Sequence, residues 1–262
     1  MAGELHALGV PFLDGPTTTS PAVSQPEAGF WIANEPETKL FLGQLVMDHK
    51  DDHAYQVRAS FVNDVPVSHY SKQNFIPSLM EHLYEWLCGS QPDYDPDRFT
   101  NLIIRDEAIH RYPLIRFNFT TYDIRRDQDI IHPAFDKKDI MVYCPDLDSP
   151  FPWRYARVQG IFHATVQTAT LPTPKKFFFL WVRWFTLIDT SFIPAEARAY
   201  PRVSFVPYQS NDDEPFGFVD PEHVIRGCHL IPAFELGRTV DLLPPSVARD
   251  KAGDWKAFCV NW

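Results

Sequence analysis

The segment 175–185, KKFFFLWVRWF, restricts the possible folds of this chain more than any other stretch. Its aromatic and aliphatic side chains surround one internal arginine, and it is far shorter than the roughly 20 apolar residues that span a membrane. As a strand, it would place Phe177, Phe179, Trp181, Arg183 and Phe185 on one face, and Phe178, Leu180, Val182 and Trp184 on the other. Because both faces are apolar, the segment predicts a strand that is buried on both sides and anchors the fold.

The composition favours a folded domain built from short strands. The chain has 262 residues, of which 45% are hydrophobic and 22% charged, as is common in globular proteins. Its 15% aromatic residues, and its 24 prolines against 11 glycines, favour short strands and irregular connections over long helices. The formal net charge of −10 argues against a protein that coats nucleic acid non-specifically, since phosphate binding requires basic surface.

The cysteines and the glycine patterns give no sign of a cofactor. None of the four cysteines, Cys88, Cys144, Cys228 and Cys259, lies in a CxxC spacing, so we interpret them as reduced, buried thiols of an intracellular protein. No GxxxxGK[ST], GxGxxG or GxSxG loop occurs. The N-terminus lacks a basic start followed by an apolar run, so no signal peptide is predicted. We therefore predict no cofactor and no membrane partner.

The chain divides into three predicted parts. Residues 1–29 are rich in Pro, Ser and Thr with few large apolar groups, which predicts a flexible arm. Residues 30–73 predict a partly ordered extension, in which a hairpin pattern at 55–67 is interrupted by Pro66. Residues 74–262 predict a β-rich domain that begins with a helix.

The helix prediction rests on capping and periodicity. Asn74 can cap the helix, and Cys88 followed by Gly89 can end it. The apolar side chains at helical spacing are Phe75, Leu79, Leu83 and Trp86. On the opposite side, Glu81, His82 and Glu85 are expected to face solvent.

After residue 111, alternation predicts about six short strands. These are 114–123, 139–145, 154–167, 175–185, 202–208 and 223–234, separated by turns rich in Pro and Asp. In 114–123, one face carries Ile115, Phe117 and Phe119, and the other carries Arg116, Asn118 and Thr120. The predicted fold class is mainly β (α+β), and the strand spacing favours a small barrel or sandwich over alternating strand–helix units.

Five segments together resemble a known family. They are FNFTTYDIRRDQDIIHP, DIMVYCP, WRYARVQGIFHATV, FLWVRWF and FGFVDPEHVIRGCHLIPAF with the following GRT and LLPPSVAR. In the same order, they resemble the C-terminal region of proteins encoded by DNA transposons of mushroom-forming fungi, the Plavaka and Kyakuja–Dileera–Zisupton group. The resemblance runs from about residue 74 to the end. It implies that the chain is either a fragment or a stand-alone relative of a transposon-encoded protein.

A second resemblance lies inside the first. Four shorter segments resemble, in order, the strands of bromo-adjacent homology (BAH) domains: DIMVYCP, YARVQGIF, FLWVRWF and PEHVIRGCHLI. This resemblance implies a small β-barrel at about 136–235 with a preceding helix and irregular extensions. It also implies a chromatin-interaction role without catalytic chemistry. The chain departs from the pattern at TLIDTSFIP, where BAH domains usually carry a polar loop.

Two groups of residues are candidates for binding. Trp153, Tyr155 and Trp181 could form a cage that holds a methylated lysine by cation–π contact, although core packing is the competing interpretation. Arg125 and Arg126 are candidate contacts to nucleic-acid phosphate. Their competing interpretation is pairing with neighbouring aspartates in a turn.

The same polar segment, YDIRRDQD at 122–129, carries a candidate metal site. Asp123, Asp127 and Asp129, together with His132, supply the hard oxygen and imidazole ligands that a nuclease could use for a divalent metal ion. One loop alone rarely brings such groups together, so a structural turn is the favoured interpretation.

The sequence therefore predicts a non-catalytic module of a transposon-derived protein, located in the nucleus, that contacts chromatin, a histone tail or other protein, or DNA. The alternative is a metal-dependent nuclease or transposase-associated enzyme that uses the Asp123, Asp127 and Asp129 cluster. A third possibility is a purely structural or degenerate remnant with no ligand. The sequence does not indicate an oligomeric state.

Overall fold

The structure, a computed structural model, is mainly β. It describes residues 29–33, 35–55, 75–88, 102–120, 126–144, 152–168, 173–188, 201–210 and 214–261. The strands are β1 Phe30–Ile32, β2 Thr38–Phe41, β3 Ile103–Tyr112, β4 Ile115–Thr120, β5 Arg126–Ile131, β6 Asp139–Tyr143, β7 Trp153–Gln167, β8 Lys175–Leu187, β9 Arg202–Phe205, β10 Phe216–Val219, β11 Val224–Gly227, β12 His229–Pro232, β13 Arg238–Thr239, β14 Asp254–Trp255 and β15 Phe258–Asn261. The helices are α1 Leu42–Asp48 and α2 Phe75–Cys88, with short 3-10 turns at Pro221–His223 and Phe234–Leu236.

These strands form open antiparallel sheets. The main sheet follows the order β11-β6-β7-β8-β9-β15-β12, with β10 added to β8, and with β3 pairing both β7 and β2. A small sheet has the order β1-β4-β5, and β13 pairs with β14. The prediction of a mainly β fold is confirmed, whereas a closed barrel is not confirmed.

The aromatic segment forms β8, at the centre of the main sheet, and it is buried on both faces as predicted. Phe179 and Trp181 pack into a cluster with the apolar side of α2. Leu180 and Val182 on the other face lie in a second cluster, and Phe185 lies in a third. Burying one large apolar side chain contributes about 2–3 kcal/mol, so β8 anchors three cores at once.

A β-bulge in β7 keeps its apolar side chains on the correct faces. Val158 pairs with Val182, but Gly160 pairs with Trp181, which leaves Gln159 as the extra residue. Ala156 and Val158 before the bulge therefore lie in the same cluster as the odd-numbered Ile161 after it. At Gly160 an added Cβ would lie 2.3 Å from the Phe162 ring, so close packing requires glycine at this position.

Helix α2 confirms the predicted helix and corrects the placement of one side chain. Leu79 and Leu83 are fully buried and Phe75 is nearly so, while Trp86 is partly exposed. His82 was expected to face solvent, but its ring lies 5.9 Å from the Phe218 ring and near Phe179. The helix therefore packs a wider side against β8 and β10 than its apolar spacing indicated.

Eight strands were not predicted, namely β1, β2, β3, β5, β10, β13, β14 and β15. In β3 the alternation is interrupted by Asp106 and Glu107, which adopt positive φ angles of 59° and 48° and coincide with a register shift against β7. In β5 a polar sequence that was interpreted as a turn pairs along its whole length with β4. The predicted arm apart from Gly29 and the predicted hairpin at 55–67 apart from Tyr55 lie outside the described residues.

Two buried ion pairs sit at the centre of the third cluster. Arg157 donates to both carboxylate oxygens of Asp139, over 2.7 and 2.9 Å. Arg183, fully buried, donates to Asp254 over 2.7 Å. The two arginines are cross-strand neighbours, and both guanidinium groups lie over the Phe205 ring, at 5.1 and 3.8 Å from its centroid. Each charge is therefore buried together with its counter-ion.

The described cysteines form no disulfide, and the two described helices are short. Cys144, Cys228 and Cys259 are free and partly buried. Burial is the main cause that raises the pKa of the Cys228 thiol well above its usual value, so this side chain stays protonated. In the part of the chain that the structure describes, neither helix has the length and apolar character needed to cross a membrane.

Candidate functional site

The outer face of the small sheet β1-β4-β5 combines aromatic, cationic and amide side chains. Its inner face packs Ile115, Phe117 and Ile131 into the second core cluster. Because side chains alternate along a strand, the residues between them point outward. The outer face is formed by Trp31 of β1, Arg116, Asn118 and Thr120 of β4, and Arg126, Gln128 and Ile130 of β5. We call this the outer sheet face.

Strand register places these side chains in cross-strand rows. Trp31 lies opposite Arg116, which lies opposite Ile130, and Asn118 lies opposite Gln128. The Arg116 guanidinium lies over the Trp31 ring at 5.0 Å from its centroid. The Gln128 amide donates to the side-chain oxygen of Asn118 over 2.8 Å. The face is therefore an ordered array, as cross-strand pairs of this kind stabilise a sheet.

Large apolar groups remain exposed on this face. Trp31 is 47% exposed and Ile130 is 42% exposed. Part of the face, together with Phe30 and Asp127, borders an open depression of about 600 Å³. The Nε atom of Arg116 is buried without a hydrogen-bond partner among the described residues. An exposed aromatic side chain beside an arginine without a carboxylate is a common feature of binding surfaces.

The acidic residues of β5 point away from the outer sheet face. Asp127 and Asp129 lie opposite Phe119 and Phe117, on the side of the sheet that faces inward. Asp129 accepts a hydrogen bond of 2.9 Å from the Gly227 amide, and its carboxylate lies 3.7 Å from Arg226. Burial is the largest cause that raises the pKa of Asp129. Arg116 and Arg126 therefore point outward, while the exposed Asp127 also borders the depression.

The predicted metal ligands are not gathered into one site among the described residues. Asp127 is exposed, and its carboxylate accepts a hydrogen bond from the backbone N–H of Gln128. Asp129 is held by Gly227 and Arg226, while His132 accepts from the Ala134 amide over 3.3 Å. Asp123 lies outside the described residues, and no group of three described His, Cys, Asp or Glu residues could hold a metal ion. The metal site therefore stays a prediction.

The predicted aromatic cage is divided between two cores. Trp181, 3% exposed, packs in the first cluster against Phe75 and Tyr55. Tyr155, 4% exposed, and the partly buried Trp153 belong to the third cluster. The three rings do not surround a common space, so their placement matches the competing interpretation of core packing. Burial is the main cause that raises the pKa of Tyr155.

Of the two predicted phosphate contacts, Arg126 lies on the outer sheet face and is exposed. Arg125 lies outside the described residues. Trp31 was not predicted as a binding residue, because no strand was predicted in the segment 30–73. The outward direction of Arg116 and Asn118 did follow from alternation in 114–123, but that pattern did not reveal their neighbours on β1 and β5.

Comparison with known proteins adds no family to this description. No protein-family model matches the chain, and no curated protein matches it.

Proposed function

We propose that this protein is a non-catalytic interaction module that binds DNA through the outer sheet face. The observation that carries the proposal is the exposed Trp31 ring beneath the Arg116 guanidinium, on the same sheet face as the exposed Arg126. Arginine side chains bind phosphate, aromatic rings stack on bases, and side-chain amides bind base edges. The Asn118 and Gln128 amides lie between the two arginines.

The net charge of the chain sets the expected strength of this interaction. With a net charge of −10, long-range attraction to DNA is absent, and binding depends on local contacts. Two arginines neutralise at most about two phosphates, so the slope of log K against log salt is expected to be only about −2. This shallow dependence distinguishes the outer sheet face from a broad basic patch.

A chromatin role within a transposon-derived protein, and a nuclear location, form part of the same proposal. Support comes from the two ends of the main sheet, β11 and β12, which are separated in the chain only by Cys228. The Cys228 amide donates to the Asp139 carbonyl over 2.9 Å and continues the pairing of β11 with β6. We interpret this curled sheet around the third cluster as the counterpart of a BAH-like barrel at about 136–235.

The direct test is a fluorescence-anisotropy titration of labelled single-stranded and duplex DNA, with a histone-tail peptide in a parallel arm. Trp31→Ala and Arg116→Ala are each expected to weaken DNA binding about tenfold. The Arg116→Ala variant should also reduce the salt slope by about 1. Arg105→Ala is the matched control, because it removes an exposed arginine from β3, outside the outer sheet face.

Equal weakening by Arg105→Ala would show that only net charge matters and would contradict the assignment of the face. Peptide binding that depends on Trp31, without DNA binding, would redirect the proposal to a protein partner. Absence of binding in both arms would overturn the proposed function.

A further inference from the structure

A cleft of about 460 Å³ lies next to α1 and the bulged part of β7, and it shares no lining residue with the depression beside the outer sheet face. Its lining includes Tyr55, Phe162 and Trp181, whose rings supply an apolar surface. The bulge residue Gln159 also lines it. Bulges commonly occur beside binding sites, where they redirect a side chain out of the regular alternation.

Cationic side chains outnumber acids in the lining. The cations are Lys39, Arg111, Lys138, Arg157 and Arg249, and the acids are Asp48 and Asp250. Two of the cations have carboxylate partners: Lys39 lies 2.6 Å from Asp106, and Arg157 binds Asp139. On the acidic side, Asp250 lies 3.6 Å from Arg238, which is not part of the lining.

The remaining cations are not neutralised among the described residues. Arg111 is exposed, Lys138 is partly buried, and neither forms an ion pair with a described acid. The Arg249 guanidinium donates only to a carbonyl, that of Leu243, over 3.0 Å. Because a carbonyl carries no net charge, the cleft retains an excess of positive charge that suits an anionic ligand.

Neutral donors and a fixed frame complete the cleft. Burial, followed by the nearby Asp52, raises the pKa of Tyr55 far above its usual value, so its phenol stays protonated. The Tyr55 ring packs on Trp181 with 4.7 Å between ring centroids. Asp52 accepts from the Val247 amide over 2.7 Å and ties the α1 segment to the C-terminal loop that carries Arg249. The cleft is thus preformed, as small-molecule sites usually are.

We infer that this cleft binds an organic phosphate, with the phosphate among Arg111, Lys138 and Arg249 and the apolar part against the Tyr55 ring. A phosphate monoester carries close to two negative charges at neutral pH, which matches several unpaired cations better than a single carboxylate does. The volume is within the range of small-molecule sites. The phosphate could belong to a nucleotide or to a phosphorylated side chain, which share this chemistry.

Isothermal titration calorimetry with phenyl phosphate tests the inference on the full chain. Phenyl phosphate should bind more tightly than inorganic phosphate, since it adds apolar contact. Arg111→Ala and Lys138→Ala should each weaken its binding about tenfold, the usual loss when a charged hydrogen bond is removed. Lys256→Ala is the matched control: it removes an exposed cation that does not line the cleft, and binding should not change.

Two further arms identify the source of the phosphate and separate this site from the outer sheet face. Tighter binding of adenosine monophosphate than of phosphotyrosine would indicate a nucleotide, and the reverse would indicate a phosphorylated peptide. Trp31→Ala should leave phenyl phosphate binding unchanged. The inference would be overturned if phenyl phosphate failed to bind at a concentration tenfold above a dissociation constant of about 1 mM. Equal binding by wild type and by the Arg111→Ala and Lys138→Ala variants would overturn it as well.

Discussion

At the scale of single residues, the buried charges carry the largest energetic consequences. Arg183 and Asp254 are both nearly inaccessible to solvent, with side chains 0% and 1% exposed. Desolvation lowers the pKa of Arg183, and the hydrogen bond and charge of Asp254 oppose this effect. Removing one partner leaves an uncompensated charge in a low-dielectric interior, which is more costly than the pair is stabilising.

Asp254→Ala is therefore expected to lower the free energy of unfolding by about 3–5 kcal/mol. Glu235→Ala is the matched control, because it breaks an ion pair with Arg202 at the surface. The Glu235 side chain in that pair is 57% exposed. Loss of this exposed pair should cost at most about 1 kcal/mol. Urea denaturation of the three proteins provides the measurement. Similar losses in both variants would show that Arg183 is solvated and that the third core is not closed to water.

His82 makes the stability of the fold dependent on pH. Burial and the charge of His223 lower the pKa of His82 to about 4, below the value of about 6.5 in an unfolded chain. Between these values the unfolded state binds a proton that the folded state does not. The free energy of unfolding therefore falls as the pH falls through this window, by up to about 1.4 kcal/mol per pH unit for each such histidine.

His82→Phe removes this proton and also the buried Nε2 atom, which has no partner among the described residues. We expect the variant to be more stable than wild type, with a difference that grows from pH 7 to pH 4. His163, whose pKa is lowered to about 3 mainly by burial, and Asp129, whose pKa is raised, titrate in both proteins and so do not affect the difference. Thermal unfolding across this pH range is the measurement, and a constant difference would contradict the assignment.

At the scale of elements, the bulge in β7 determines how the sheet is assembled. It changes the alternation between Val158 and Gly160, so that Ala156 and Val158 before the bulge and Ile161 after it all pack in the second core. It also directs Gln159 into the cleft. Without the extra residue, the side chains on one side of the bulge would be moved to the opposite face of the sheet.

Gly160→Ala is expected to destabilise the protein by about 1–3 kcal/mol, because the new Cβ would lie 2.3 Å from the Phe162 ring in a packed core. Gly43→Ala is the control: it lies in α1 with nothing within 4 Å of the added Cβ. There the substitution should stabilise the helix by up to about 1 kcal/mol. Chemical denaturation compares the two, and a neutral Gly160→Ala variant would contradict the described bulge.

Local sequence patterns predicted the elements that carry strong periodicity. The aromatic residues of β8 and the apolar side of α2 were found because each is encoded in consecutive residues. β5 was missed because its first four residues, RDQD, are all polar, so no alternation of apolar and polar side chains marks the strand. β3 was missed because Asp106 and Glu107 interrupt the alternation with positive φ angles.

At the scale of the whole molecule, interior packing and binding are assigned to different parts. The side chains of β8 join three cores and are mostly buried, whereas the outer sheet face keeps Trp31 and Ile130 exposed. The sequence could not predict this face, because its rows combine three strands that are separated by up to about 100 residues in the chain. The side chains of β8 therefore hold the fold together, and the side chains of the outer sheet face are left exposed for binding.

Hydrogen–deuterium exchange of the protein, alone and with the DNA that binds best, tests that claim in one measurement. The account predicts that amides of β8 exchange most slowly in both states, since global unfolding is needed to expose them. It also predicts that DNA increases protection in β1, β4 and β5. Fast exchange in β8, or protection by DNA confined to segments outside the small sheet, would contradict it.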